Sequence, residues 1–319
     1  MLAMGRLSSI VPAQMSFLPP EPPSSVPPPT LGEPSGPSSP PPGVPPAASA
    51  TSAPGWKPWV GFVAVVVGFG GAGVLGAIWL IATVGIDDGE IGDPSAVGGI
   101  GALVLQNLSI IAATVGLAAI FSRPRAWHFG WRPVQRVWQA LGWSALLYVS
   151  FVLVSAVWLF AIGQTDEEQT LAKDLGADES TLAAIIIALL VAYGAPVVEE
   201  LLFRGFMFGS LRGRLSVIPA AIITGIVFGL AHVDGSPIAF ILPLALFGFG
   251  LCLLYHQTGS LYPSMAVHAV NNSVAITSAL KWDWYWAPVL IATSLTMLAL
   301  TALVVSRLSG PVPADAPCP

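Results

Sequence analysis

Charge is what this sequence has least of. Asp, Glu, Lys and Arg make up 9% of its 319 residues, against roughly a quarter in a soluble domain. Lysine occurs only at Lys57, Lys173 and Lys281. That supply does not cover a soluble surface, and it excludes a basic face for nucleic acid. Cysteine is nearly missing too. Cys252 and Cys318 are too few and too far apart for a disulfide framework or a thiolate metal site. Cys252, inside an apolar run, reads as a small packing residue. No two of the four histidines stand one helical turn apart, so a His-Glu-x-x-His zinc site is excluded. A two-aspartate intramembrane site is excluded as well, because Asp234 stands alone in a short loop.

What is present is apolar. Hydrophobic residues make up 54% of the chain and mean hydropathy is +0.76. Runs of about 17–25 apolar residues can cross a ~30 Å hydrocarbon core. They fall near 59–84, 97–121, 137–162, 181–210, 217–232, 237–256, 260–280 and 286–307. The expected fold is therefore all-α, a polytopic membrane bundle of about eight transmembrane helices. Gly68, Ala72 and Gly76 recur every four residues on the first run, a stripe suited to close helix packing.

Residues 1–58 are a different material. They hold seventeen of the 30 prolines and little apolar surface, which predicts a disordered, Pro-rich cytoplasmic tail. A membrane domain over 59–308 and a short C-terminal tail over 309–319 complete the organisation. Met1–Leu18 lacks an apolar core followed by a small-residue cleavage site, so the first span is expected to act as the targeting signal. Lys57, Arg123, Arg125, Arg132, Arg136, Arg212, Arg214 and Arg307 all fall on one side of the predicted bundle, against Lys173 and Lys281 on the other. By the positive-inside rule both termini are cytoplasmic, in a multi-pass protein of the cell membrane.

Against this background a few ionisable residues stand out. Glu199, Glu200 and Arg204 lie in the fourth run, His232 at the end of the fifth, and His268 with Asn272 in the seventh. A charge at bilayer depth costs about 2.5–3.5 kcal/mol on insertion scales, so such residues face a polar interior. Residues four apart share a helix face, which pairs Glu200 with Arg204 and leaves Glu199 about 100° away and free to act. Pro196 removes one backbone bond and predicts a kink that opens space for water. At 1.5 Å per residue, Glu199, His268 and His232 lie roughly 17, 13 and 20 Å from the same side. Three helices thus bring a carboxylate, two imidazoles and an amide to a similar level.

These residues resemble a known family. Pro196-Val197-Val198-Glu199-Glu200-Leu201-Leu202-Phe203-Arg204-Gly205 is similar to the Glu-Glu-x-x-x-Arg motif of the CAAX-protease and bacteriocin-processing (CPBP, or Abi) intramembrane proteases. Phe228–His232 resembles their Phe-x-x-x-His motif, and His268–Asn272 their His-x-x-x-Asn motif. The resemblance covers roughly residues 137–280. It implies hydrolysis of a peptide bond in a membrane-associated protein or peptide. Glu199 and His232 would activate a water, with Glu199 as base; His268 and Asn272 would stabilise the oxyanion; Glu200 and Arg204 would be a supporting pair. The family has been described both as metalloproteases and as glutamate-dependent enzymes. A metal-free, glutamate-activated water is favoured here, and a zinc ion, if used, would be held by Glu199, His232 and His268. The scarcity of lysine with abundant Ala, Gly and Pro points to a high-GC bacterium, which argues against prenylated substrates.

Two other readings compete. A proton-coupled transporter would use Glu199 and Glu200 as a relay, but it expects a paired inverted repeat, and the polar residues fall only in the second half. A catalytically idle scaffold or bacteriocin-immunity protein would keep the site without the reaction. The expected partners are membrane lipid and a protein or peptide substrate.

Overall fold

Among the described residues, eight long helices form where the apolar runs predict them. They are α1 Pro58–Val84, α2 Ala96–Phe121, α3 Val137–Ile162, α4 Thr181–Arg212, α5 Val217–Leu230, α6 Ile238–Thr258, α7 Leu261–Ala279 and α8 Trp286–Leu308. The structure is a computed structural model and describes residues 55–87, 90–91, 95–163, 175–233, 235–310 and 312–313. The Pro-rich segment up to residue 54, Asp234 and most of the C-terminal tail lie outside the described residues. A two-residue antiparallel pairing, Ile86–Asp87 with Glu90–Ile91, joins α1 to α2 and is the one sheet among the described residues.

Local chemistry sets the helix ends. Pro58 occupies the first turn of α1, where its missing N–H costs nothing. Ser95 and Ser180 cap α2 and α4, accepting from Gly98 N and Ala183 N at 3.1 Å each. Gly163 and Gly259 end α3 and α6 in the left-handed region.

Six helices (α1, α2, α3, α4, α6 and α8) are long and apolar enough to cross a membrane. The expected eight spans therefore divide. Helix α5 has 14 residues, about 21 Å of rise, short of a ~30 Å core. Helix α7 has 19 residues but carries His268, Asn271, Asn272 and several hydroxyls, so it is a buried helix more than a lipid-facing one. The outer faces are apolar, with Val66 and Ile120 each 71% exposed and Phe160 81%. Trp138 and Trp284, near helix ends, are also exposed, as at membrane interfaces.

Helix α4 runs through the interior, with Phe203, Arg204, Phe206 and Phe208 all fully buried. Helices α1 and α2 pack as a pair, and the predicted stripe of Gly68, Ala72 and Gly76 is buried. Helices α5 and α6 pair closely as well. A Cβ on Gly225 would stand 2.6 Å from the Ala245 carbonyl oxygen, and one on Gly248 would stand 2.9 Å from Phe228. Only glycine permits this approach, and it brings the Gly248 backbone to α4.

The connection between α2 and α3 folds back under the bundle. Leu261 N–H donates to Gly130 O at 2.9 Å, and the Ser260 hydroxyl donates to Arg132 O at 2.7 Å. His128 Nδ1 accepts the Arg125 N–H at 3.1 Å. Burial, helped by Arg125 and Arg132, holds the His128 pKa below the ordinary imidazole value. The ring is thus a neutral acceptor at pH 7. Its support is complete above the ordinary value and weakens as pH falls through the lowered one.

Candidate active site

Glu199, Glu200 and Arg204 lie on the buried stretch of α4, His232 in the turn after α5, and His268 on α7. Each imidazole is fixed from behind. His232 Nδ1 is 2.8 Å from Phe228 O, the carbonyl one turn earlier, and donates its hydrogen there. His268 Nδ1 is 2.9 Å from Glu200 Oε1 and donates to that carboxylate. With both Nδ1 atoms engaged, the two Nε2 atoms face Glu199. Glu199 Oε2 lies 3.7 Å from His232 Nε2 and 3.8 Å from His268 Nε2. Among the described residues no group hydrogen-bonds to that buried oxygen.

The pairing of Glu200 with Arg204 forms as the spacing predicts, with Arg204 Nη1 donating to Glu200 Oε1 at 2.6 Å and both side chains fully buried. Two further partners were not legible in the spacing. Arg204 Nη2 donates to Gly248 O at 3.1 Å, through the close α5–α6 pairing. The guanidinium carbon also lies 4.6 Å from the Phe228 ring centroid. The same ring packs 4.7 Å from His232 and 5.5 Å from His268. Phe228, which spacing left without a role, is thus an apolar wall shared by Arg204 and both histidines. Exposure is uneven. His268 and Glu199 are 2% and 8% exposed in their side chains, His232 23%, so the cluster opens on the His232 side.

Asn272 stands apart. It makes no hydrogen bond to Glu199 or either histidine; its Nδ2 donates to Val191 O at 3.0 Å, on α4. The local backbone explains why. Just before Pro196, where the sequence predicts a disturbance, α4 widens into a π-turn over Leu190–Gly194, and a second widened run spans Leu201–Phe208. Ala195 N–H reaches five residues back, to Leu190 O. The next residue, Pro196, has no N–H. Val191 O therefore loses both its four-back and five-back donors, and the Asn272 amide supplies one. Tyr193, in the same turn, exchanges a hydroxyl hydrogen bond with Thr301 on α8. The helix stays continuous, with the altered turn bonded to both neighbours. Asn272→Ala is expected to cost about 1–3 kcal/mol for the unpaired carbonyl, read as a lowered Tm with faster amide exchange confined to residues 190–196.

Among the described residues no group of three or more His, Cys, Asp or Glu side chains is arranged to hold an ion. Glu199, His232 and His268 are donor types that zinc accepts, and their separations of 3.7 and 3.8 Å lie a few tenths of an ångström beyond the roughly 3.3 Å between tetrahedral ligands bound at about 2.0–2.1 Å.

Comparison with known proteins covers the segment that carries these residues. Residues 181–274 match the Rce1-like family of type II CAAX prenyl endopeptidases. This Rce1-like segment is narrower than the resemblance read from sequence, yet it holds Glu199, Glu200, Arg204, His232, His268 and Asn272. A relative from Bacillus subtilis (strain 168), named "Putative membrane peptidase YdiL", is 24% identical over 146 residues, 46% of this chain. The matched stretch spans 57% of that relative's length. No solved structure matches.

Proposed function

We propose that this protein is an intramembrane endopeptidase that hydrolyses a peptide bond in a membrane-associated protein or peptide. The supporting observation is the Glu199 carboxylate, buried between two imidazole Nε2 atoms whose Nδ1 atoms are tied elsewhere. Gaps of 3.7–3.8 Å are too long for direct hydrogen bonds and suit one shared water. In this reading Glu199 and His232 Nε2 accept the two hydrogens of that water. Its oxygen attacks the scissile carbonyl carbon as Glu199 takes one proton. The proton then passes to the amine nitrogen as the C–N bond breaks, leaving a carboxylic acid and a free amine.

The oxyanion needs donors. His268 supplies one when it carries a proton on Nε2 as well as on Nδ1, and Glu200 permits this by accepting from Nδ1. Asn272 has a second amide hydrogen beyond the one given to Val191, and the reading assigns it to the same oxygen. Fixed donors of this kind are worth about 2.7–4 kcal/mol each. No step is assigned to a metal. The loop charges further support an arginine-bearing end that faces the cytoplasm, with both termini on that side.

The test is a comparison of membrane peptidomes from cells carrying wild-type protein or Glu199→Gln. An uncut precursor should accumulate with the variant. Indistinguishable peptidomes would favour the scaffold or immunity reading.

A further inference from the structure

Two adjoining cavities lie at the arginine-bearing end of the bundle, on the side of α7 away from the glutamate–histidine cluster. One, of about 520 Å³, sits at the helix ends and is lined by Trp127, Trp131, Tyr262, Ser306 and Ser309, with apolar neighbours. The other, of about 570 Å³, is a nearly all-apolar groove between α3, α7 and α8. Tyr262 and Ala302 line both, so the two form one compartment with an aromatic, hydroxyl-bearing mouth and an apolar interior.

Its length is informative. The lining runs from Val137 to Tyr148 on α3, from Tyr262 to Val270 on α7 and from Leu295 to Ala302 on α8. Each stretch covers about 10–16 Å along its helix, roughly half of a ~30 Å core. A spanning helix needs the full thickness. An acyl chain of one leaflet needs half.

Three arginines stand next to lining residues in the chain. Arg132 follows Trp131, Arg136 precedes Val137 and Arg307 follows Ser306, each neighbour being a lining residue. Arg132 is bonded to the Trp127 carbonyl, its guanidinium 5.7 Å from that indole's centroid. The described connecting segments at this end, 122–136, 213–216, 259–260 and 309–310, contain no acidic residue. Trp127 is 4% exposed, and its indole Nε1 has no hydrogen-bond partner among the described residues. A buried donor of this kind calls for an acceptor.

We propose that this compartment is a binding site for one anionic phospholipid, with its headgroup and ester oxygens at Trp127, Ser306, Ser309 and the arginines, and one acyl chain in the groove. Basic pockets between membrane helices bind anionic headgroups in this way. The proposal stands independently of the peptidase reading.

The test is native mass spectrometry of the full chain in detergent, with phosphatidylglycerol or phosphatidylcholine carrying the same acyl chains. Wild-type protein should retain one phosphatidylglycerol in clear preference to phosphatidylcholine. Arg136→Gln should narrow that preference about fivefold, the effect of one basic residue near a charged headgroup. Ala302→Phe, which fills the junction of the two cavities, should reduce bound phosphatidylglycerol to the level of non-specific adducts. Should that variant fail to fold, Ala299→Leu makes the same test within the groove. Equal retention of the two lipids by wild type would overturn the proposal. So would undiminished phosphatidylglycerol binding by a folded groove-filling variant, or a free fatty acid retained in its place.

Discussion

Glu199→Gln is expected to lower peptide hydrolysis by about 10²–10⁴-fold, the usual worth of a general base, while leaving the fold intact. Glutamine keeps the shape of the side chain, and Glu199 Oε2 makes no hydrogen bond to protein that the exchange would break. It lacks the basic oxygen that takes a proton from water. His232→Ala should also abolish turnover with little loss of stability, since that ring is partly exposed and its bonded partner is its own helix's Phe228 carbonyl. Rates on a detergent-solubilised peptide, read beside Tm for each variant, check both. Wild-type turnover by Glu199→Gln would remove this residue as the base.

Arg204→Ala carries the largest expected effect on folding. Truncation strips the Glu200 carboxylate of a fully buried cation at 2.6 Å, leaving His268 as its remaining partner. Removing one member of a buried pair costs about 3–5 kcal/mol, enough to deplete the protein from the membrane fraction. Glu200→Ala should cost a similar amount, because it leaves the Arg204 charge with the Gly248 carbonyl and the Phe228 face. The double variant Glu200→Gln/Arg204→Met removes both charges and should recover much of the yield. It should not recover the rate, because His268 loses the carboxylate that accepts from Nδ1. Recovery of folding without turnover separates the two roles of Glu200. Full recovery of both would reduce it to a charge partner.

The local parts of this arrangement were legible in the sequence, and the long-range parts were not. Apolar run lengths located all eight helices to within about two residues, because lipid exposure fixes hydrophobic length residue by residue. The four-residue spacing located the Glu200–Arg204 pair, since that contact lies within one helix. Glu200 also holds His268, 68 positions away, and no period announces such a contact. Phe228 was visible as part of a motif, but its place between Arg204 and two imidazoles follows from the crossing of α4, α5 and α7. At Pro196 a missing N–H must disturb the helix, but the π-turn that results leaves a carbonyl needing a donor from elsewhere, and here that donor is Asn272. The same contact gives Asn272 a backbone partner on α4 that its spacing did not announce.

Hydrolysis in ¹⁸O-labelled water by the purified full chain tests the central claim most directly. The substrate is a membrane-associated peptide that accumulates with Glu199→Gln, and products are weighed by mass spectrometry. Wild-type protein should generate a new C-terminal carboxyl carrying one labelled oxygen, and Glu199→Gln should not. Release of unlabelled products, equal cleavage by the variant, or no cleavage by folded wild-type protein would contradict a Glu199-activated water.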